Sequence, residues 1–538
     1  MPTSGVIVRR SGRYRTVYKV LKSYRNIHGT PTQKRVTIGR LDDETNMLVP
    51  NETYWEFYGD RGQVVITQTE DHNDGRGGGS DRLAVHFGAT LLVDTVLDDL
   101  GVYRILEDVF GAKDAQLIRD CATAMTVRQS NVMHTIGDWL DLYKLGGSGL
   151  NSQTASQLFT RITHDKRMEF FTAWNKIANP TGYLAYDVTS MSTYAHAIAD
   201  AEYGYNRDGE SLPQINLAQY VCYDTSLPVF YVTYPGSIVD KSHLTYMQAY
   251  NADLGLDTQA ITFVLDQGFC STKNFTGMYK AKQKFIACAS TAHKATRTLI
   301  HDLRDELAHI KHRLEPGVYG MSKTGTYYGA YGTMHIFRNT TDDAAAMVER
   351  KVTAEHATLT GLTNPTQAQL KKYTKFHTVT VNPDGTLEIT QDWDKTEEAV
   401  FQASHFAIMT TDNTLTTKEV LTLYRQKDII EKTFDGLKNH LDFHRLHTHH
   451  TETTDGKLFC AFIGLIALQR IRTTLADYQA KHSTSISRIF SELNKLTLIT
   501  PTTGPRQQNP LTKTHKDILT PFNITQDTIT QKITNTQP

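Results

Sequence analysis

Three acids and a short stripe of basic and aromatic residues have the types and spacing to do chemistry. Asp187 lies inside the apolar run YLAYDVTS, Asp266 closes the run ITFVLD, and Glu431 falls within LTLYRQKDIIEKTFDGLKNHL over residues 421–441. The first two runs read as buried strands, where an ionised carboxylate is costly unless a metal or another cation compensates it. The third has no Pro and a single glycine, Gly436. At roughly 100° per residue, its Leu423, Ile430, Phe434, Leu437 and Leu441 share one side, the expected buried face of one continuous helix. Tyr424, Lys427, Glu431 and Lys438 fall within about 60° of each other on the adjoining stripe. Three oxygen donors without a nearby cysteine or paired histidines suit hard Mg²⁺, with Mn²⁺ as a substitute, rather than Zn²⁺. Two such ions about 3.5–4 Å apart activate a water or a 3′-hydroxyl and stabilise the leaving oxygen of an in-line phosphodiester attack. Singly, each aspartate reads more readily as a turn-initiating residue, and the stripe as the solvated edge of an amphipathic helix. The metal reading rests on the three acids together.

These residues need a scaffold, and length supplies room for one. At 538 residues the chain is too long for one core, so two to four domains are expected. Its composition, 39% hydrophobic and 21% charged, is that of an ordinary globular protein. Net charge is zero but unevenly spread: residues 1–40 hold ten lysines and arginines and no Asp or Glu, and acids dominate from Asp42 to Asp74. A basic segment in a neutral chain points to an anionic partner, most often nucleic acid. The five cysteines form no CxxC pair and read as reduced thiols, with Cys270 and Cys288 as small buried residues. No secretory signal core opens the chain, and the longest apolar run, LFCAFIGLIAL, is too short to span a bilayer. The expectation is a soluble cytoplasmic protein without a membrane partner.

Along the chain, 1–70 reads as a basic β-rich segment suited to DNA contact, and 71–82 (DHNDGRGGGSDR) as a linker. Residues 83–179 read as helical, a DNA-binding or dimer region, with two short helices near LNSQTASQLFTRITHDKRMEFFTAWNKI that suit ordinary packing better than a helix-turn-helix. Strand-like runs from Gly182 to Ser290, with a helix over 240–254, indicate a mixed α/β sheet as the first part of a catalytic core, 180–290. A β-rich insertion covers 291–404, opening on a charged helix (TLIHDLRDELAHIKHRL), and the core resumes over 405–476. Residues 477–538 read as a helix near 485–497 and a loosely ordered tail rich in Thr, Gln and Asn. His440, His444, His447, His449 and His450 crowd one stretch at irregular spacing, which favours surface or DNA-backbone contact over zinc. Lys280, Lys282 and Lys284, and Lys371, Lys372 and Lys375, read as solvated faces rather than as DNA contacts.

The stripe matches Y-x2-[R/K]-x3-E-x6-K, and the sequence resembles the DDE transposases of bacterial insertion sequences, in the insertion-sequence-four family. Lys427 stands where that family has arginine, keeping the charge without the bidentate fork, with Arg425 nearby to share its role. DVTS around Asp187 and DQGF around Asp266 resemble the family's two aspartate motifs, with Gln267 where arginine is usual. KRVTIGRLDDE resembles the sixteen-thirty-four-like group. The resemblance implies a ribonuclease-H-like fold, and Asp187, Asp266 and Glu431 as catalytic metal ligands. It implies Tyr424, Lys427 and Lys438 as DNA phosphate contacts. It further implies cut-and-paste transposition by a homodimer on double-stranded DNA, at terminal inverted repeats and a target, in the cytoplasm at the nucleoid. Two alternatives stay open: a ribonuclease-H-like nuclease without strand transfer, and a DNA-binding protein that has lost catalysis.

Overall fold

A computed structural model describes residues 6–11, 14–25, 31–41, 48–54, 83–178, 182–238, 261–341, 343–363, 365–500 and 506–535. The expected linker at 71–82 and the expected helix at 240–254 lie outside these residues. The chain divides into two compact units, 1–80 and 81–538.

In the first unit the β-prone runs form an antiparallel meander of β1 (Val6–Ser11), β2 (Tyr14–Arg25), β3 (Pro31–Leu41) and β4 (Leu48–Pro50). Val17, Ile38, Leu41, Leu48 and Tyr54 close its small core. The Arg35 guanidinium lies over the Tyr18 ring, 5.1 Å from its centre, a placement that shields apolar surface while keeping the charge.

The second unit is built on one mixed sheet. Its strands are β6 (Tyr183–Ser192), β7 (Gln214–Cys222), β8 (Pro228–Pro235), β9 (Thr262–Leu265), β10 (Lys284–Ala289), β11 (Arg313–Glu315), β12 (Val318–Tyr327), β13 (Ala330–Asn339) and β16 (His405–Thr410). They lie in the order β11-β12-β13-β16-β10-β9-β6-β7-β8. Only β6 with β9 and β9 with β10 pair in parallel. The intervening strands β14 (His377–Val381) and β15 (Leu387–Gln391) form a separate hairpin. A third sheet joins β5 (Leu83–His86), β17 (Thr497–Thr500) and β18 (Gln507–Gln508). The central strands β7 and β9 are buried along their whole length, covered on both faces, so β7 buries Gln214, Asn216 and Gln219 among its apolar residues.

Helix Thr451–Thr474 is the spine of the helical layer, buried along most of its length. Two glycines let it approach its neighbours. A Cβ at Gly456 would meet the Phe159 carbonyl at 2.2 Å, and one at Gly464 the Thr126 hydroxyl at 2.6 Å. Helices Ser152–Arg161 and His164–Ala178 turn Phe159, Phe170, Phe171 and Trp174 inward, and Phe170 and Phe171 stack edge-on against Phe459. Their inner faces therefore belong to the core. Among the described residues no single helix is long and apolar enough to cross a membrane.

The structure corrects four expectations. The 421–441 stretch is not one helix. It breaks into Thr417–Arg425 and Asp428–Asp435, then widens into a π-helical turn over Gly436–His440. At the joint Lys427 N–H bonds Tyr424 and Ile430 N–H bonds Lys427, tighter i→i+3 closures that re-aim the second helix. The charged helix after 291 is likewise two pieces, Lys294–Asp302 and Arg304–Leu307. The 291–404 segment is not set apart from the sheet: β13 pairs with β16, so β11–β13 extend the main sheet. Within 343–403, Val348, Val352 and Phe376 form a separate small core. Lastly, the tail is ordered where described. Helices Lys513–Leu519 and Gln526–Asn535 bury Ile518, Leu519 and Ile529, with Thr512 capping the first. Widely spaced apolar residues within a polar composition suffice to anchor short capped helices.

Candidate active site

Strand register brings the two aspartates together. Tyr186 pairs with Leu265 across the parallel β6–β9 ladder. One step further along, Asp187 therefore lies beside Asp266, on strands about 4.8 Å apart. Asp187 sits mid-strand among buried neighbours, while Asp266 directly precedes the 3₁₀ turn Gln267–Phe269, where the chain leaves the sheet. The third acid arrives on helix Asp428–Asp435. Lys427 Nζ lies 3.5 Å from Asp266 Oδ1 and 3.5 Å from Glu431 Oε1, and its charge also acts on Asp187. Asp266 and Glu431, 165 positions apart in sequence, thus meet at one ammonium group, and Asp187, 79 positions before Asp266, lies within its electrostatic reach.

The electrostatics follow from that count of charges. Burial pushes the Asp187 carboxyl up to about 6; Lys427, its own Val188 N–H and Arg207 pull it down, while Asp266 adds to the rise. Burial alone would depress Lys427, but Asp266, Asp187 and Glu431 outweigh it and hold the amine protonated. Tyr424 O–H donates to Asp266 Oδ1 at 3.0 Å. Burial and then the neighbouring Cys288 and Asp266 push this phenol far above its ordinary range, so it remains a donor. Cys288 is half-buried, its thiol pushed up to about 11 by burial; Cys270 is buried. Among the described residues no three His, Cys, Asp or Glu side chains stand at metal-ligating spacing. That includes the three acids, which face Lys427 instead.

Two of the expected residues lie elsewhere. Lys438 is carried by the π-turn to Asp208, with Nζ–O distances of 2.7 and 2.9 Å. One extra residue in a turn rotates everything after it, so the helical stripe does not extend that far. Arg425 points outward and pairs with Glu315 at 2.5 Å. The histidines do not assemble either: His440 is buried against the Thr126 carbonyl at 2.9 Å, and His444 meets Asn439 at 2.8 Å. Of the smaller basic clusters, Lys284 pairs with Asp412, and Lys372 and Lys375 lie over Tyr373 and Phe376.

Sequence reasoning missed the loop between β6 and β7. Arg207 acts electrostatically on Asp187, Asp208 holds Lys438, and Glu210 forms a two-pronged pair with Arg445. The available signal was length. More than twenty residues separate two adjacent antiparallel strands, and loops of that size are uncommon unless they serve a site.

The profile of the transposase DDE domain family matches residues 179–466, more than half the chain, and spans all three acids. The chain belongs to this family. This transposase is thus a member of a group of polynucleotidyl transferases and nucleases, and its large mixed sheet carries the matched segment. It is also similar to a solved structure, the cryo-EM synaptic complex of piggyBac transposase with hairpin DNA. That match has 9% identity and a TM-score of 0.35 over 84% of each chain. No curated protein matches.

Proposed function

We propose that this transposase performs cut-and-paste transposition of an insertion sequence of the insertion-sequence-four family, sixteen-thirty-four-like group. On this reading it binds terminal inverted repeats, hydrolyses a phosphodiester at each end and joins the freed 3′-hydroxyl to target DNA. The observation that carries the reading is the meeting of Asp187, Asp266 and Glu431 around Lys427. The strand order β8-β7-β6-β9-β10, with β6, β9 and β10 parallel, supports a ribonuclease-H-like core.

The chemistry of the donor set suits divalent cations, while its acids stand around Lys427 rather than at ligating spacing. It offers only carboxylate oxygens, one lysine faces three acids, and Asp187 is driven toward its neutral form. Asp187, Asp266 and Glu431 would hold Mg²⁺ or Mn²⁺, which when bound activates the attacking oxygen and neutralises the leaving one. Tyr424 supplies an O–H beside Asp266 and Lys427 an N–H⁺ between the acids, both suited to orienting a phosphate of the transferred strand. Lys438, already bound to Asp208, instead braces the β6–β7 loop that carries Arg207.

Double-stranded DNA is the partner on this reading, with the basic 1–70 segment and the helical 83–179 region as the contacts away from the acids. Cutting two ends in concert calls for a homodimer, working on the nucleoid in the cytoplasm. The test combines Mg²⁺, a labelled terminal-repeat duplex and a target plasmid. Joined products from wild type, lost by at least a thousandfold in Glu431→Gln, are the expected result. Nicks without joining indicate the stand-alone nuclease, and binding without cleavage the inactive relative. Equal cleavage by wild type and Glu431→Gln removes the acid assignment.

A further inference from the structure

We propose that Lys427 is a tethered counter-cation, which holds the acid cluster together in the resting enzyme and competes with divalent ions for it. The inference rests on the reading of Asp187, Asp266 and Glu431 as metal ligands and adds a role for this chain's own lysine.

Three features of Lys427 carry it. Its side chain is only 9% exposed, yet it originates from the break between two helices, where the tightened backbone turns it inward toward β6 and β9. Its ammonium is shared rather than committed: 3.5 Å to Asp266 and 3.5 Å to Glu431. A charge-assisted hydrogen bond closes to about 2.7–2.9 Å, the length of the Lys438–Asp208 contacts. The Lys427 charge is therefore centred in the field of several acids without being locked to any one of them. Lastly, Lys427 is the foremost cation acting on Asp187, ahead of Arg207, and Tyr424 adds a neutral donor to Asp266.

A lysine placed this way serves before and during metal entry. Without ions it offsets repulsion between carboxylates held on adjoining elements. When ions occupy the carboxylates, the ammonium meets like charge and is pushed away. A flexible four-carbon stem can withdraw a point charge by rotamer changes alone, whereas a planar guanidinium would bind a carboxylate with both prongs. The displaced ammonium then lies at the rim of the site, free for an incoming phosphate. Metal binding and phosphate capture become linked through one side chain.

The test is Mn²⁺ binding to the full chain without DNA, followed by electron paramagnetic resonance. Lys427→Met should bind Mn²⁺ about tenfold or more tightly than wild type, and Lys427→Arg should bind no more tightly than wild type. Equal or weaker binding by folded Lys427→Met overturns the proposal. Should that variant not fold, the wild type still decides. Saturating Mg²⁺ should raise the acylation rate of Lys427, read by mass spectrometry, several-fold over the metal-free protein, and an unchanged rate overturns the proposal. Asp266→Asn separates the underlying reading from this one. If Asp266→Asn with Lys427→Met binds Mn²⁺ as tightly as Lys427→Met alone, the ions are not at these acids and the site assignment itself fails.

Discussion

Two charge clusters in this transposase are each built around a buried lysine and differ in electrostatic balance. In the helical layer, Lys144 bridges Asp94 at 2.9 Å and Asp120 at 2.7 Å, while Arg119 reaches Asp94 and Asp98. Lys532 stands 3.7 Å from Asp98, so three acids meet three cations. Thr123, Gln116 and the Ser148 N–H complete the hydrogen bonding. Burial alone would raise Asp94, but Lys144 and Arg119 outweigh it and hold the carboxyl low, firmly ionised. At the candidate active site, one lysine at 3.5 Å serves Asp266 and Glu431, and burial drives Asp187 up to about 6. A buried lysine is common to both. Balance is what differs: a neutralised network is architecture, and an under-neutralised one is poised to take up cations.

The comparison breaks most directly at Lys144. Replacing it by Met leaves Asp120, which is fully buried, without its cation. Loss of one partner from such a pair costs about 3–5 kcal/mol. Urea denaturation of Lys144→Met should show this loss; a change below about 1 kcal/mol would mean that the network is not needed to neutralise Asp120. The mirror experiment is Asp187→Asn. It removes a charge the site cannot fully compensate, so the metal-free protein should gain on the order of 2 kcal/mol while losing cleavage. A destabilised Asp187→Asn would place Asp187 with the structural carboxylates.

How much of this was legible in sequence depends on the range of the interaction. Strands β6 to β10 could be read because each is a short apolar run bounded by turn residues, a local property. The three acids and Lys427 could be read as candidates from residue type and spacing. Their meeting could not, because it depends on Tyr186 lying opposite Leu265 across 79 residues. The break at Gln426–Lys427 carries no Pro or Gly to announce it. The π-turn that sends Lys438 to Asp208 is equally silent in the residues around it. In the tail, Thr, Gln and Asn masked the sparse anchors Ile518, Leu519, Phe522 and Ile529. Composition averages over residues, whereas packing depends on the few that point inward.

Acid titration shows what burial does where charge balance does not outweigh it, at two histidines outside both clusters. His335 and His440 are buried neutral groups, both pushed down to about 4 by burial. His440 also faces Arg472, which lowers it further, and the Thr126 carbonyl and Asp435, which oppose the fall. With folded values below the unfolded 6.5, the unfolded chain binds more protons in this window. The stability they confer is complete above pH 6.5 and is lost as pH falls toward 4. Measured in the Asp187→Asn background, the loss from pH 7 to pH 5 should be about 2 kcal/mol per histidine. His335→Gln should remove one share of that slope. An unchanged slope would assign the acid sensitivity to other groups.

The smallest effect is expected at Arg425, and it sharpens the distinction. Arg425 and Glu315 pair at 2.5 Å, closer than any contact Lys427 makes with an acid, yet both side chains are well exposed. Exposed pairs contribute about 0–1 kcal/mol because water and salt screen the attraction and ordering two long side chains costs entropy. Arg425→Ala should therefore change stability by less than about 0.5 kcal/mol. Cleavage in the Mg²⁺ assay should stay within about threefold of wild type, under 1 kcal/mol of transition-state stabilisation. A loss approaching that of Glu431→Gln would mean that Arg425 leaves Glu315 and joins the acids once DNA is bound. Distance alone would then rank ion pairs wrongly, since the short Arg425–Glu315 pair and the longer contacts of the buried Lys427 would each be read through the neutralisation their surroundings supply.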